Sequence, residues 1–381
     1  MLVPKLRFKR EDGTKYPEWE EKELKDVAKI LMGQSPSGSS VNANKNGIPL
    51  VQGKADILGY GVISDRYTSA PTKVSEPNDI IMTVRAPVGY VAKLGFTACI
   101  GRGVCAIRAN ENEDFVYYVL QNKESEWKYI EQGSTFTAVN SDDVSSLIVS
   151  IPCFEEQQKI AGFLSTVDEV ITQSEAEVQN LEQQKKSAMQ KIFSQELRFK
   201  REDGTDYPEW EENAISDLFE VSAGGDIDKA NSRKEYGEDY PYAVYANALT
   251  NRGLYGYANY YKIGCDCFTV TGRGDVGYAI ARHEKFVPIV RLLVCIPKHN
   301  ENVDCFAEIV NYTNIFVDNT GVPQLTSIQL GKIRVAYPTD IEEQQKIADF
   351  LSALDEAISY AKQELDKWKE LKKGLLQQMF V

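Results

Sequence analysis

The chain writes one sentence twice. Residues 6–21 read LRFKREDGTKYPEWEE and residues 197–212 read LRFKREDGTDYPEWEE, identical at 15 of 16 positions. A second block also recurs. Residues 155–161 and 342–348 both read EEQQKIA, continued as GFLSTVDEVI and DFLSALDEAI. The two offsets, 191 and 187 residues, nearly agree, so the order is block, variable region, block, twice over. A repeat of this period constrains the fold more than any local signal, because each copy must build the same unit. The 381 residues leave room for two domains of ordinary size plus connecting elements.

The second block opens a long periodic stretch. In the first copy the seam runs through Ile160, Leu164, Val167, Ile171, Ser174, Val178, Leu181, Lys185, Ala188 and Ile192. In the second it runs through Ile347, Leu351, Leu354, Ile358, Ala361, Leu365, Trp368, Lys372, Leu375 and Met379. Spacings of four and three alternate without a break, which is the repeat of a coiled-coil seam. Each helix is expected to hold about 34 residues and to run about 50 Å at 1.5 Å per residue. Such a helix can pack on its own domain, on its sequence copy, or on another protein. Two seams of equal length in one chain favour an intramolecular antiparallel pair. Lys185 and Lys372 are expected near the helix ends, where the ammonium reaches water while the stem packs.

The variable regions follow another pattern. DIIMTVRAPVGYVAKLG (79–95), SSLIVSIP (145–152), DCFTVTGRGDVGYAIARHE (266–284) and KFVPIVRLLVCIP (285–297) are short apolar runs broken by Gly and Pro. They predict short strands and tight turns. A helical stretch is expected over 114–128. Pro152 and Pro338 close the last strand of each region. The fold class is therefore α+β, with two mixed α/β domains separated by two long antiparallel coiled-coil helices and a pseudo-twofold internal repeat. The boundaries read 1–152, 153–196, 197–338 and 339–381.

Seven cysteines, at 99, 105, 153, 265, 267, 295 and 305, form no CxxC pair, and only His283 and His299 are present. A histidine-based catalytic or metal site is not expected, so the catalytic and metal sets read as none. The thiols read as free and buried in a reducing cytosol. No apolar run reaches the roughly 18 residues that span a bilayer, and the first residues lack the apolar core of a secretory signal. A soluble cytoplasmic protein with no membrane partner is expected.

Two related domains on paired helices behave as a covalent dimer whose halves differ. The natural target of such an object has two half-sites at a fixed distance. DNA is the common target of that kind, and a spacing near 50 Å corresponds to roughly one and a half duplex turns.

At this point the residues carry a resemblance. The doubled RFKREDGTxYPEWEE, with IPCFEEQQKIAGFL and YPTDIEEQQKIADFL opening the helices, resembles the specificity subunit of type I restriction–modification systems over essentially the whole chain. The resemblance implies two target recognition domains, each followed by a spacer helix, and a protein that is not an enzyme. It implies double-stranded DNA as one partner, with a bipartite asymmetric target. Two modification (methyltransferase) subunits would assemble on the chain, and restriction subunits with translocase and nuclease activity could join. It implies no cofactor in this chain, S-adenosylmethionine being expected on the modification subunit. The sequence has no GxxxxGK[ST] loop and no NPP[YF]-type motif, and GRGDVG (272–277) lacks the Lys-Ser of a phosphate loop.

The first candidate DNA-binding residues occupy matching places. TVRAPVG holds Thr83, Arg85 and Gly89, while TVTGRGDVG holds Thr271, Arg273 and Gly274. Arginine grips a guanine edge or a phosphate, and glycine allows close backbone approach. A second pair of segments is rich in hydrogen-bonding side chains. GSTFTAVN holds Ser134, Thr135, Thr137 and Asn140, and DNTGVPQLT holds Asn319, Gln324 and Thr326. The competing readings are a structural turn and a polar loop with helix caps. GQSPSG (33–38) matches an early turn of the family, SAGGD (222–226) less well, and Lys45 and Lys54 are looser candidates.

The net charge is −13, of which 155–196 carry −4 and 342–381 carry −2, leaving −7 for the rest. An acidic balance argues against tight DNA binding by the chain alone, so the positive charge is expected from partner subunits. The alternative function is a non-catalytic coiled-coil scaffold with two protein-binding domains. An enzyme built on acid pairs such as Glu20 and Glu21, or Asp142 and Asp143, is the weakest reading.

Overall fold

The heptad seams become two long helices. The structure, a computed structural model, describes residues 4–59, 61–124, 126–127, 138–313, 315 and 324–380. Among these the α-helices are α1 (Leu24–Val27), α2 (Glu113–Asn122), α3 (Ser141–Ser145), α4 (Phe154–Phe193), α5 (Ile215–Leu218), α6 (Val303–Tyr312), α7 (Ser327–Lys332) and α8 (Ile341–Met379). With 40 and 39 residues, α4 and α8 exceed the expected 34, because each begins within three residues of its strand-closing proline. The stretch expected over 114–128 is represented by α2, capped by Asn112.

Two compact units result, Met1–Glu175 with Gln363–Val381, and Ala176–Lys362. In unit 1 a six-stranded sheet runs Ala28–Met32, Val104–Ala109, Ile80–Thr83, Val91–Lys93, Gly61–Val62, Ile57–Leu58. A five-stranded sheet lies in the same unit, and Glu20–Glu23 pairs antiparallel with Ile148–Ile151. Unit 2 repeats this plan with fewer strands. Its four-stranded sheet runs Phe219–Ala223, Leu293–Pro297, Cys267–Val270, Ala279–Arg282. A second four-stranded sheet includes the parallel pair Tyr242–Tyr245 and Phe286–Pro288.

Each unit has one main core that takes in both long helices. In unit 1, Ile160 and Leu164 of α4 and Leu376 and Met379 of α8 share a buried cluster with Ile80, Met82 and Phe115. In unit 2, Ile192 of α4 and Ile347 and Leu351 of α8 join Phe219, Phe268 and Phe306. Burying each such side chain is worth about 1.5–3 kcal/mol. The start of one helix and the end of the other therefore meet on the same domain, which makes the pair antiparallel within each unit.

The seam lysines are a correction. They do not reach water at the helix ends. Lys372 is 2% exposed and lies 2.6 Å from Asp168 Oδ1 of α4. Lys185, also largely buried, lies 2.7 Å from Asp355 of α8 and 3.1 Å from Glu308 of α6. Burial holds the Lys372 ammonium below the ordinary lysine range, and Asp168 offsets part of that effect. A lysine in an apolar seam needs an acid opposite, and the helix copy supplies one.

The cysteines are free: Cys99, Cys105, Cys267, Cys295 and Cys305 are buried, Cys153 is partly buried, and Cys265 is exposed, which the expectation of buried thiols did not include. No helix among the described residues is long and apolar enough to cross a membrane.

Candidate nucleic-acid interface

The twice-written sentence closes over the start of each long helix. In unit 1, Arg7 forks onto Glu156 through Nε at 3.0 Å and Nη2 at 2.7 Å, and also donates to the Pro17 carbonyl. Trp19 Nε1 donates to the same carboxylate at 3.1 Å. In unit 2, Arg198 forks onto Glu343 at 3.2 and 3.0 Å and donates to the Pro208 carbonyl. Lys159 donates to the Lys9 carbonyl and Lys346 to the Lys200 carbonyl. Phe8 meets Phe163 edge-on, as Phe199 meets Phe350. A planar guanidinium fits a buried carboxylate bidentately, which fixes the angle between block and helix. The repeated block is thus a structural junction, and the variable regions hold the candidate interface.

The loop between Ile80–Thr83 and Val91–Lys93 is held by its first residue. The buried Thr83 hydroxyl donates to the Pro87 carbonyl at 2.7 Å and accepts from Tyr90 N at 3.0 Å. Gly89 N donates to the Thr83 carbonyl at 2.9 Å. The second loop repeats this clasp. The Thr271 hydroxyl donates to the Asp275 carbonyl and accepts from Tyr278 N, and Gly277 N donates to the Thr271 carbonyl. Gly89 sits at φ +85°, and a Cβ there would lie 2.5 Å from the Trp127 side chain. Thr83, Thr271 and Gly89 shape the loop from inside. Gly274, at φ +71°, has open space around it.

The two predicted segments meet in both units. Arg85 pairs in an antiparallel bridge with Ala138, and Val139 N donates to the Val84 carbonyl at 2.8 Å. Arg273 pairs likewise with Gln324, and Leu325 N donates to the Gly272 carbonyl at 2.9 Å. The Arg273 guanidinium also reaches Gln324 Oε1 at 3.5 Å, a long contact. Immediately beyond each bridge stands a helix cap. Asn140 accepts from Asp142 N and Asp143 N to start α3, and Thr326 accepts from Gln329 N to start α7. These caps tie the second segment to its helix, while the bridges tie it to the first. Arg85 is exposed and Arg273 half-buried at equivalent places. Ser134, Thr135, Thr137 and Asn319 lie outside the described residues.

The glycines of the two early turns are equivalent after all. Gly33 N donates to the Val104 carbonyl and Gly224 N to the Leu292 carbonyl. A Cβ on either would strike backbone, at 2.1 Å from the Gly101 oxygen and 2.6 Å from the Pro288 carbonyl carbon. Lys45 is exposed in the loop before strand Ile48–Val51, while Lys54 lies 4.7 Å over the Tyr90 ring at the base of the first loop.

One surface was missed in the sequence. Tyr255 stands exposed on the second sheet of unit 2, and Tyr236 and Tyr261 stand exposed in the segments next to its strands. Lys234 lies 4.5 Å over Tyr255, Arg233 lies 4.4 Å over Tyr240, and Lys285 lies 4.8 Å over Tyr261. The signal was present: eight of the chain's 20 tyrosines fall within 236–261. Cation-bearing aromatic faces suit stacking and phosphate contact alike.

Known proteins share this plan. The family described as Type I restriction modification DNA specificity domain matches twice, over residues 16–183 and 207–369. A type I restriction enzyme specificity subunit of Methanocaldococcus jannaschii is 36% identical over 199 residues, covering 51% of this chain and 47% of that relative's own length. A type I specificity subunit of Mycoplasma pneumoniae is 26% identical over 355 residues, covering 93% of this chain and 94% of its own. The crystal structure of a type I restriction–modification S subunit from M. genitalium has the same fold, with a TM-score of 0.67 at 17% identity over 100% of this chain and 99% of that one. A structure from a study of complex assembly in the type I system matches at a TM-score of 0.57 and 16% identity, over 95% and 97% of the two chains. With two family matches spanning most of its length, each on one repeat of the fold, the chain belongs to the type I restriction–modification DNA specificity family.

Proposed function

We propose that this chain selects a bipartite, asymmetric DNA sequence and carries no catalysis of its own. The observation that supports the reading most directly is the pairing, in both units, of an arginine loop with a capped polar segment: Arg85 with Ala138, and Arg273 with Gln324. Each pairing offers one arginine at the same place on a domain whose remaining sequence differs. Arg85 reads or grips one half-site and Arg273 the other, with Gly274, Gln324, Asn140 and Thr326 beside them. The internal turns hold these residues rigidly, which base recognition requires.

The duplicated junctions, Arg7 with Glu156 and Arg198 with Glu343, offer equivalent faces to two copies of one partner. On this reading two methyltransferase subunits, carrying S-adenosylmethionine, dock there, and restriction subunits join them. The net charge of −13 fits a chain that borrows cationic surface from those partners. The test is selection from a random duplex pool by the chain co-expressed with a modification subunit. Enrichment of two short motifs at one fixed spacing is expected. Enrichment at no spacing would leave the scaffold reading in its place.

A further inference from the structure

The ion pairs across the long helices are of two kinds. The kind that joins a seam lysine to an aspartate is carried alike by both helices, buried at Lys372–Asp168 and with its aspartate exposed at Lys185–Asp355. At the 187-residue offset Asp355 is the copy of Asp168 and Lys372 the copy of Lys185, and each unit pairs one lysine with one aspartate. The flanking glutamate–lysine kind is not alike. In unit 1, Lys369 Nζ lies 2.8 Å from Glu175. In unit 2, Lys362 Nζ lies 2.6 Å from Glu182. Position 362 is the copy of 175, and 369 is the copy of 182. The same contact therefore forms twice, and α4 supplies the acid both times while α8 supplies the base both times.

We propose that Glu175, Glu182, Lys362 and Lys369 form a pairing code by which α4 accepts α8 and rejects a second copy of itself. An α4–α4 pair in the same antiparallel register keeps both Lys185–Asp168 contacts but sets Glu175 against Glu182 twice. An α8–α8 pair keeps both Lys372–Asp355 contacts but sets Lys362 against Lys369 twice. The seam lysine–aspartate pair thus holds the register whatever the partner, and the flanking glutamate–lysine pair chooses the partner. Charges flanking a seam act in this way, since like pairs destabilise about as much as opposite pairs stabilise. One consequence rests on the DNA reading above: each particle holds one domain of each kind, so its target is asymmetric. The pairing itself is independent of that reading.

The test uses the full chain with a protease site inserted between Gln195 and Glu196, which are exposed after α4. The cut protein is unfolded in denaturant, refolded by dilution so that the halves choose partners afresh, and weighed by native mass spectrometry without DNA. Mixed pairs of first and second halves are expected to exceed like pairs by at least about tenfold at low salt. Glu182→Lys with Lys369→Glu turns both mixed contacts repulsive and all like contacts attractive, so like pairs take over. Adding Glu175→Lys and Lys362→Glu restores attraction in mixed pairs and repulsion in like pairs, and mixed pairs return; their return also shows that the substituted helices fold. A statistical mixture from the unmutated chain, or the same pairing in all three proteins, would overturn the proposal. A chain that failed to select DNA yet paired as described would refute only the functional reading.

Discussion

Lys372 of the second long helix lies 2.6 Å from Asp168 of the first, and Tyr118 from the recognition domain donates to the same carboxylate at 2.9 Å. In the other unit Lys185 meets Asp355, and Glu308 takes the place that Tyr118 holds. One domain helix in each unit is thereby tied to the charge pair of the seam. The orientation of domain on helix pair depends on a contact that neither helix makes alone.

Asp168→Ala should be among the most damaging changes in the spacer. It removes the carboxylate 2.6 Å from a buried ammonium, at a cost of about 3–5 kcal/mol. Adding Lys372→Met should recover most of that loss, since the pair is then replaced by apolar surface. Thermal denaturation of the two variants checks this. Equal damage in both would mean that packing, not charge, dominates the site.

Glu308→Gln should change how stability depends on pH. Burial raises the Glu308 carboxyl above its ordinary value, despite the nearby Lys185. A carboxyl with a raised folded pKa binds its proton more tightly folded than unfolded. Stability therefore falls as pH rises from the ordinary glutamate range through the raised value, and the penalty is complete above it. The variant should lose that decline and match or exceed the parent near neutrality. Urea midpoints across pH 4–8 read the difference, given that ordinary glutamate titrates near about 4.3.

His283 should contribute in the opposite sense. Burial opposes its charge, but hydrogen bonding to Asp304 and then to Asp266 outweighs this and raises its pKa. Its stabilising contribution is fully present below the ordinary histidine value and is lost as pH rises through the raised one. His283→Ala should remove that loss. A parent whose stability does not change with pH in this range would speak against it.

Gly89→Ala should cost more than Gly274→Ala. Both glycines have positive φ, but only the first would drive a methyl against Trp127. The backbone strain alone is worth about 1 kcal/mol, and the steric clash adds roughly 1–3 kcal/mol. Gly274→Ala, in open space, should instead test the interface by weakening DNA binding more than stability.

The repeat and the seam made the architecture legible, because both are patterns that one chain displays against itself. The lysines at 185 and 372 misled for the same reason. Their acids lie on the other helix, about half the chain away, where periodicity along one helix cannot see them. The pairing of Arg85 with Ala138 was half legible: both segments stood out by composition, yet only folding brings them together. The buried role of Thr83 was hidden, since a hydroxyl that clasps its own loop looks in sequence like one free to bind. The tyrosines of 236–261 stood in plain view as a count but had no motif to mark them.

The central claim is that each unit reads its own half of a split DNA target. Methylation mapping in cells expressing the chain with its modification subunit tests it most directly, comparing Arg85→Ala with Arg273→Ala. Relaxed specificity at one half-site in the first variant and at the other half-site in the second is the predicted result. Loss of both half-sites together in either variant, with the protein still folded, or no change in either, would contradict the account.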